Sequence, residues 1–138
     1  YLIPLGVAEI KRKGTDVTIV SFGKIIKEAY KAADVLSEEG IECEVIDLRT
    51  VRPLDHKTIL ESVKKTNRLV ILEEAWPFGN ISTEITYQVQ EQAFDYLDAP
   101  IIKINTADTP APFSPVLLAE WLPNSIDVIK AVKKVLYK

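Results

Sequence analysis

The pattern that most restricts this chain is an alternation. Short apolar runs rich in β-branched residues are separated by longer stretches with an apolar residue every three or four positions. Asp16-Val17-Thr18-Ile19-Val20-Ser21-Phe22 follows the turn signal Gly14-Thr15-Asp16 and reads as a buried strand. Glu44 to Leu48, Arg68 to Glu73 and Pro100 to Ile104 read the same way, and Ala8 to Lys13 alternates loosely, as a short edge strand does. From Lys24 onward Ile25, Ile26, Ala29, Ala32, Ala33, Val35 and Leu36 recur at helical spacing, with Gly40 as a C′ cap. Asp55 is placed to N-cap a helix to about Lys65, with Ile59, Leu60 and Val63 inward. Asn80 or Ser82 caps a helix to about Phe94 that carries Ile85, Val89 and Ala93. Pro123-Asn124-Ser125 opens a closing helix with Ile126, Ile129, Val132, Val135 and Leu136 on one side. The three prolines between Thr109 and Pro115 predict a rigid extended loop, and the large side chains from Phe113 to Trp121 are expected in loops.

Strands that alternate with helices need crossover connections, so the sheet is expected to be mostly parallel and covered on both faces. The fold class is therefore α/β, as a three-layer α/β/α arrangement. A chain of 138 residues suits a single domain spanning 1–138 and buries a core without staples.

Charge and composition exclude several functions. The net charge of −3 leaves no basic surplus to neutralise phosphates, and the charges alternate along the chain, so neither nucleic acid nor a membrane surface is an expected partner. No apolar run approaches the roughly 18 residues a membrane-spanning helix needs. Cys43 and His56 are the only residues of their kinds, which excludes an intrachain disulfide and a Cys/His metal cluster. Methionine is absent even at position 1, so the chain reads as a processed or cut product with an N-terminal part missing.

In open α/β sheets, sites form beyond the carboxyl ends of the strands. Four segments qualify here: Ser21 to Gly23, Asp47 to Leu54, Glu73 to Asn80 and Ile104 to Pro112. The first offers only Gly23 where a dinucleotide loop needs three spaced glycines, so a plain turn is the better reading. Glu73 and Glu74 are adjacent in a strand and point to opposite faces, which disfavours a shared proton; one of them is expected to cap the following turn or form an interface ion pair. His56 has no evident nucleophile and reads as a first-turn helix residue. Cys43 reads as an inert thiol. Arg49 and Arg52 flank Pro53; they are candidates for binding an anion or crossing an interface, with Arg49 pairing to Asp47 or Asp55 as the alternative. Trp76 and Phe78, with Phe113 to Trp121, form a candidate interface patch. Asp95 and Asp98 make an acidic corner, either simply solvated or open to a partner's Lys or Arg.

Several of these runs resemble one family. Asp47-Leu48-Arg49-Thr50-Val51-Arg52-Pro53-Leu54-Asp55 is similar to a D-L-R-T-[IV]-R-P-x-D stretch of 2-oxoacid dehydrogenase beta subunits. Thr66-Asn67-Arg68-Leu69-Val70, Glu73-Glu74 with Gly79 and Thr83-Glu84-Ile85, Tyr96-Leu97-Asp98-Ala99-Pro100 and Ala107-Asp108-Thr109-Pro110 resemble further stretches of the same proteins, in the same order. Ala111-Pro112-Phe113 departs from the M-P-Y of many pyruvate-oxidising members. The pattern is most like those members, and branched-chain 2-oxoacid and acetoin members share much of it.

The resemblance implies a transketolase C-terminal domain-like fold, with a five-stranded, mainly parallel sheet and one antiparallel strand. It implies a parent enzyme of two alpha and two beta chains that uses thiamine diphosphate and magnesium, neither bound by this domain, and a bacterial cytoplasmic setting. The catalytic residues would lie in an absent N-terminal thiamine-binding domain. The partners it implies are the alpha subunit, a second beta subunit and the peripheral subunit-binding domain of the dihydrolipoyl acyltransferase. Asp98 and the carboxylate of Lys138 would receive basic groups of that last partner. The rival readings are a free-standing nucleotide-binding α/β domain and a small hydrolase using His56.

Overall fold

The computed structural model describes all 138 residues. Five strands form one sheet: β1 Glu9–Arg12, β2 Val17–Ser21, β3 Cys43–Asp47, β4 Leu69–Leu72 and β5 Ile102–Ile104. Their spatial order is β1-β3-β2-β4-β5. Only β1 runs antiparallel, against β3; the other three pairings are parallel. Five helices complete the fold: α1 Ile26–Glu38, α2 His56–Thr66, α3 Ile81–Ala93, α4 Pro115–Trp121 and α5 Ser125–Val135. A 3₁₀ turn at Phe94–Tyr96 follows α3.

Strand alternation divides the core in two. Val17, Ile19, Cys43, Val45, Val70 and Leu72 face α1 and α5. Val20, Ile46, Leu69 and Ile71 face Ile59 and Val63 of α2 and Ile85 and Val89 of α3. The three-layer α/β/α architecture and the five-stranded, mainly parallel sheet are as the sequence implies.

The central strand β2 is wholly buried, yet it carries Thr18 on the α2 side. Its hydroxyl lies 2.7 Å from both Ser62 Oγ and Thr66 Oγ1 of α2. Ser62 in turn donates to Glu44 of β3 at 2.7 Å, and Glu44 also receives the Gly14 amide and pairs with Lys65. Burial pushes the Glu44 carboxyl up, but the bonds from Lys65, Ser62 and Gly14 outweigh it and hold the group below its ordinary value.

Three details differ from the sequence reading. Residues 115–121 form a helix where loop was expected: Pro115 occupies N1, where its missing N–H costs nothing, so the proline that suggested a break instead opens α4. Val35 and Ile126 are exposed. The inward stripe of α5 is Val128, Ala131, Val132 and Val135, rotated from the face built on Ile126. Finally, Asn80 holds the N-cap position of α3 without capping it; its amide donates to the carbonyls of Trp76 and Phe78.

A group whose folded-state pKa is lowered adds stability above its unfolded value and loses it as pH falls through the folded one. Wild-type stability should therefore decline below about pH 4.5, with Glu44 contributing to the fall. Glu44→Gln should flatten that limb, and Glu44→Ala should cost on the order of 2 kcal/mol at pH 7. Urea unfolding across pH checks both, and an identical acid limb in Glu44→Gln refutes the assignment.

Candidate functional site

All four expected loops sit at the carboxyl end of the sheet, but they do not converge on a reactive constellation. In the Asp47–Asp55 stretch Thr50 and Asp55 grip the segment before β1, and Arg49 grips β1 itself. Thr50 Oγ1 accepts the Gly6 amide at 2.9 Å and donates to the Pro53 carbonyl at 3.0 Å. Asp55 accepts the Ala8 amide at 2.9 Å with one oxygen and caps α2 through the Thr58 amide at 3.0 Å with the other. Arg49, held at φ 60° with its amide on Asp47, pairs with Glu9 of β1. Gly6 is required at φ 75°, since a Cβ there would also lie 2.9 Å from Pro53 Cγ. Arg52 alone stays exposed and unpaired. So Arg49 is spent on Glu9, which neither alternative had named, and Arg52 is the free guanidinium.

Glu73 and Glu74 separate as strand geometry demands. Glu73 is fully buried on the α3 side and serves as the true cap of α3, accepting the Ser82 amide at 3.0 Å and its hydroxyl at 2.7 Å. It also receives Asn105 Nδ2 at 2.8 Å. Glu74 is exposed on the other side. Beyond them Trp76 and Trp121 both donate through Nε1 to the Thr109 carbonyl, at 2.8 and 2.9 Å. This pair ties the 73–80 turn to α4. Around it Phe78, Phe113, Val116 and Leu117 are exposed, and α4 buries no residue at all. An apolar apron therefore covers this end of the sheet.

The acidic corner lies at the opposite, amino end. Asp98 precedes β5, half exposed, with its carboxylate 3.8 Å from Arg68 Nη2. The closing helix brings Lys138 to the same corner: Tyr137 Oη donates to the Asp98 carbonyl at 3.3 Å. Asn67 receives the Asp98 amide on its carbonyl and donates through Nδ2 to the Tyr96 carbonyl. Lys64 Nζ stands 5.3 Å over the Tyr96 ring. Next to Asp98 a groove of about 370 Å³ is lined by Ala99, Pro100, Ile101, Ile102, Lys134, Val135 and Tyr137. The sequence reading singled out Asp98 and Lys138 but missed Arg68 and Tyr137. Arg68, one residue before a buried strand, was the available signal, since it must leave the sheet at its amino end.

His56 is half-buried at the first position of α2, beside Asp55, whose carboxylate is already occupied. Cys43 is buried, and that burial pushes its thiol up to about 12, so it is not a thiolate at neutral pH. No three His, Cys, Asp or Glu side chains form a metal-binding group. No helix is long and apolar enough to cross a membrane.

The family model described as "Transketolase, C-terminal domain" matches residues 6–128. The pyruvate dehydrogenase E1 component subunit beta of Rickettsia felis is 55% identical over 98% of this chain and 41% of its own length. That of Rhizobium meliloti is 51% identical over 100% of this chain and 30% of its own length. The mitochondrial one of Dictyostelium discoideum is 47% identical over 98% of this chain and 38% of its own length. The chain thus spans about two-fifths or less of these relatives. Among solved structures, a split gene transketolase described as an inactive beta4 tetramer superposes with a TM-score of 0.85 at 29% identity, over 98% of this chain and 43% of the other.

The clasp makes a contrast that mutation can read. Asp55→Ala removes a helix cap and the grip on Ala8, and should cost about 1–2 kcal/mol. Arg52→Ala should stay within about 0.5 kcal/mol, as exposed substitutions do. Hydrogen exchange should show the Ala8 amide deprotected only in the first variant; equal protection in both argues against the clasp.

Proposed function

This chain belongs to the transketolase C-terminal domain family, and we propose that it is the C-terminal domain of a pyruvate dehydrogenase beta subunit, serving assembly and docking. The observation that supports this most is identity near 50% along essentially the whole chain to such subunits. In this reading the parent enzyme oxidatively decarboxylates pyruvate and acetylates a lipoyl group, using thiamine diphosphate and magnesium. No three His, Cys, Asp or Glu side chains of this chain stand together as a metal site. No step of the reaction is therefore assigned to them. The thiamine-binding residues belong to the remaining length of the relatives, and the setting is the cytoplasm of a bacterium.

Two surfaces carry the two jobs. The apron of Trp76, Phe78, Phe113, Val116 and Leu117 is apolar and exposed, with Val116 and Leu117 on a short helix that buries no residue, which suits burial against the alpha or second beta subunit. Arg52, with Arg49 behind it, extends that end of the sheet. At the other end Asp98 and Lys138 flank the apolar groove, and this corner receives a basic, peripheral subunit-binding domain of the acyltransferase core. Because Arg68 already screens Asp98, the partner's cation must compete with it.

Ultracentrifugation of the intact beta polypeptide with its alpha partner tests assembly. Phe78→Asp combined with Leu117→Asp should abolish the higher oligomer, and retention of wild-type assembly overturns the apron. For docking, Asp98→Ala should weaken binding of the peripheral domain by on the order of 1 kcal/mol, about fivefold, mainly through the association rate. The difference should vanish at 1 M salt, where the Debye length is about 3 Å. Surface plasmon resonance at two ionic strengths decides it.

A further inference from the structure

The turn after β4 is fastened at each of its carbonyls. Ala75 accepts the Thr106 amide at 3.0 Å. Asn80 Nδ2 donates to Trp76 at 2.6 Å and to Phe78 at 3.2 Å. Lys103, reaching over from β5, donates to Pro77 at 2.6 Å and to Thr83 Oγ1 at 2.9 Å. Pro77 fixes its own φ, and Gly79 closes the turn at φ 65°, a left-handed conformation that side chains disfavour. What this scaffold holds up is Phe78, and none of the bonds buries it: the residue is 88% exposed. A backbone already fixed lowers the ordering cost of association, and buried aromatic anchors carry most of an interface's energy.

Charge decides what can meet this side chain. From Glu73 to Ile129 the chain holds nine acidic residues and one basic residue, Lys103, so the mixing of charges seen elsewhere stops here. Lys103 spends its ammonium on the turn. Glu74, Glu84, Asp108 and Glu120 are exposed, and no ion pair of the chain includes them. Glu74 and Glu120 line the hollows beside Trp121, one shared with Trp76 and the other with Leu117. Asp108 precedes the Thr109 carbonyl that both tryptophans share. The apolar surface around Phe78 is thus rimmed by carboxylates without cations.

Such a rim works against a second copy of the chain. A two-fold contact sets each patch against itself, and like charges brought together oppose association. The complementary surface is apolar at its centre and basic at its edge. We propose that Phe78 anchors the contact with a non-identical chain, the alpha subunit of the assembly reading on which this inference rests, by entering an apolar pocket rimmed by Lys or Arg. Asn80 and Lys103 hold the anchor in position. The carboxylates steer the encounter and so act on the association rate, whereas Phe78 acts on dissociation.

Binding of the intact beta polypeptide to its alpha partner, followed by surface plasmon resonance, is the test. Phe78→Ala removes an exposed side chain and should weaken binding about 30-fold or more, mainly through faster dissociation. Glu74→Lys with Glu120→Lys should slow association about tenfold at low salt and flatten its dependence on ionic strength. Lys103→Met keeps the aliphatic stem; it should weaken binding about fivefold alone and leave the Phe78→Ala variant unchanged, because a positioning residue has nothing to position once the anchor is gone. A photo-reactive phenylalanine analogue at position 78 should cross-link to the alpha chain. The inference fails if Phe78→Ala binds within about twofold of wild type, a difference too small for an anchor. It also fails if the charge reversal leaves the association rate unchanged, if the effects of Lys103→Met and Phe78→Ala simply multiply, or if the cross-link joins beta to beta. Loss of the oligomer in Phe78→Asp with Leu117→Asp, beside wild-type binding in Phe78→Ala, keeps the assembly reading and removes the anchor; an intact oligomer in that pair removes both.

Discussion

One buried carboxylate organises much of this molecule. Glu44 is almost fully enclosed, and a carboxylate taken from water is costly unless its charge and lone pairs are met. Here they are met from three directions: Ser62 and Lys65 of α2, and the amide of Gly14 before β2. The same Ser62 reaches Thr18 on the central strand. Helix, strand and turn are therefore fixed relative to one another by groups that have no other way to be satisfied. The turn has no slack, because a Cβ at Gly14 would fall on the carbonyl carbon of Cys43.

The layers were legible because burial on both faces leaves its mark on every residue of a strand. Val17 to Ser21 and Leu69 to Leu72 are buried throughout, and both are unbroken apolar or small-polar runs. Helix faces were less legible. In α5 the residues Ile126, Val128, Ile129 and Val132 permit two stripes a fraction of a turn apart, and the contact with α1 selects the one through Val128. α4 was missed because its side chains bury nothing, so no inward periodicity exists to be read. One of the two glutamates was expected to cap the following turn or form an interface ion pair; Glu73 caps α3 from a strand end nine residues earlier, while the nearer Asn80 is drawn off to the turn carbonyls.

The candidate site shows the same division. Strand ends were placed correctly, since they follow from the alternation, and the adjacent glutamates do part to opposite faces. Partners distant in sequence were not foreseeable where no local signal pointed to them: Arg49 with Glu9, and two tryptophans on one carbonyl. The result is a pair of strand-end loops whose Arg49, Thr50, Asp55 and Glu73 are all consumed internally. That economy of free chemical groups at the strand ends is why the proposed role rests on surfaces.

The two proposed contact regions lie at opposite ends of a parallel sheet, the apron where the strands finish and the acidic corner where β4 and β5 begin. Any tension between a core held at one and subunits held at the other runs along the strand axes. Each region flanks β4 and β5, so such tension would run along the covalent backbone of these two strands and leave the ladder bonds to β2 and β3 unloaded. Under the proposed reading the domain would act as a stiff strut whose load is carried by two of its five strands.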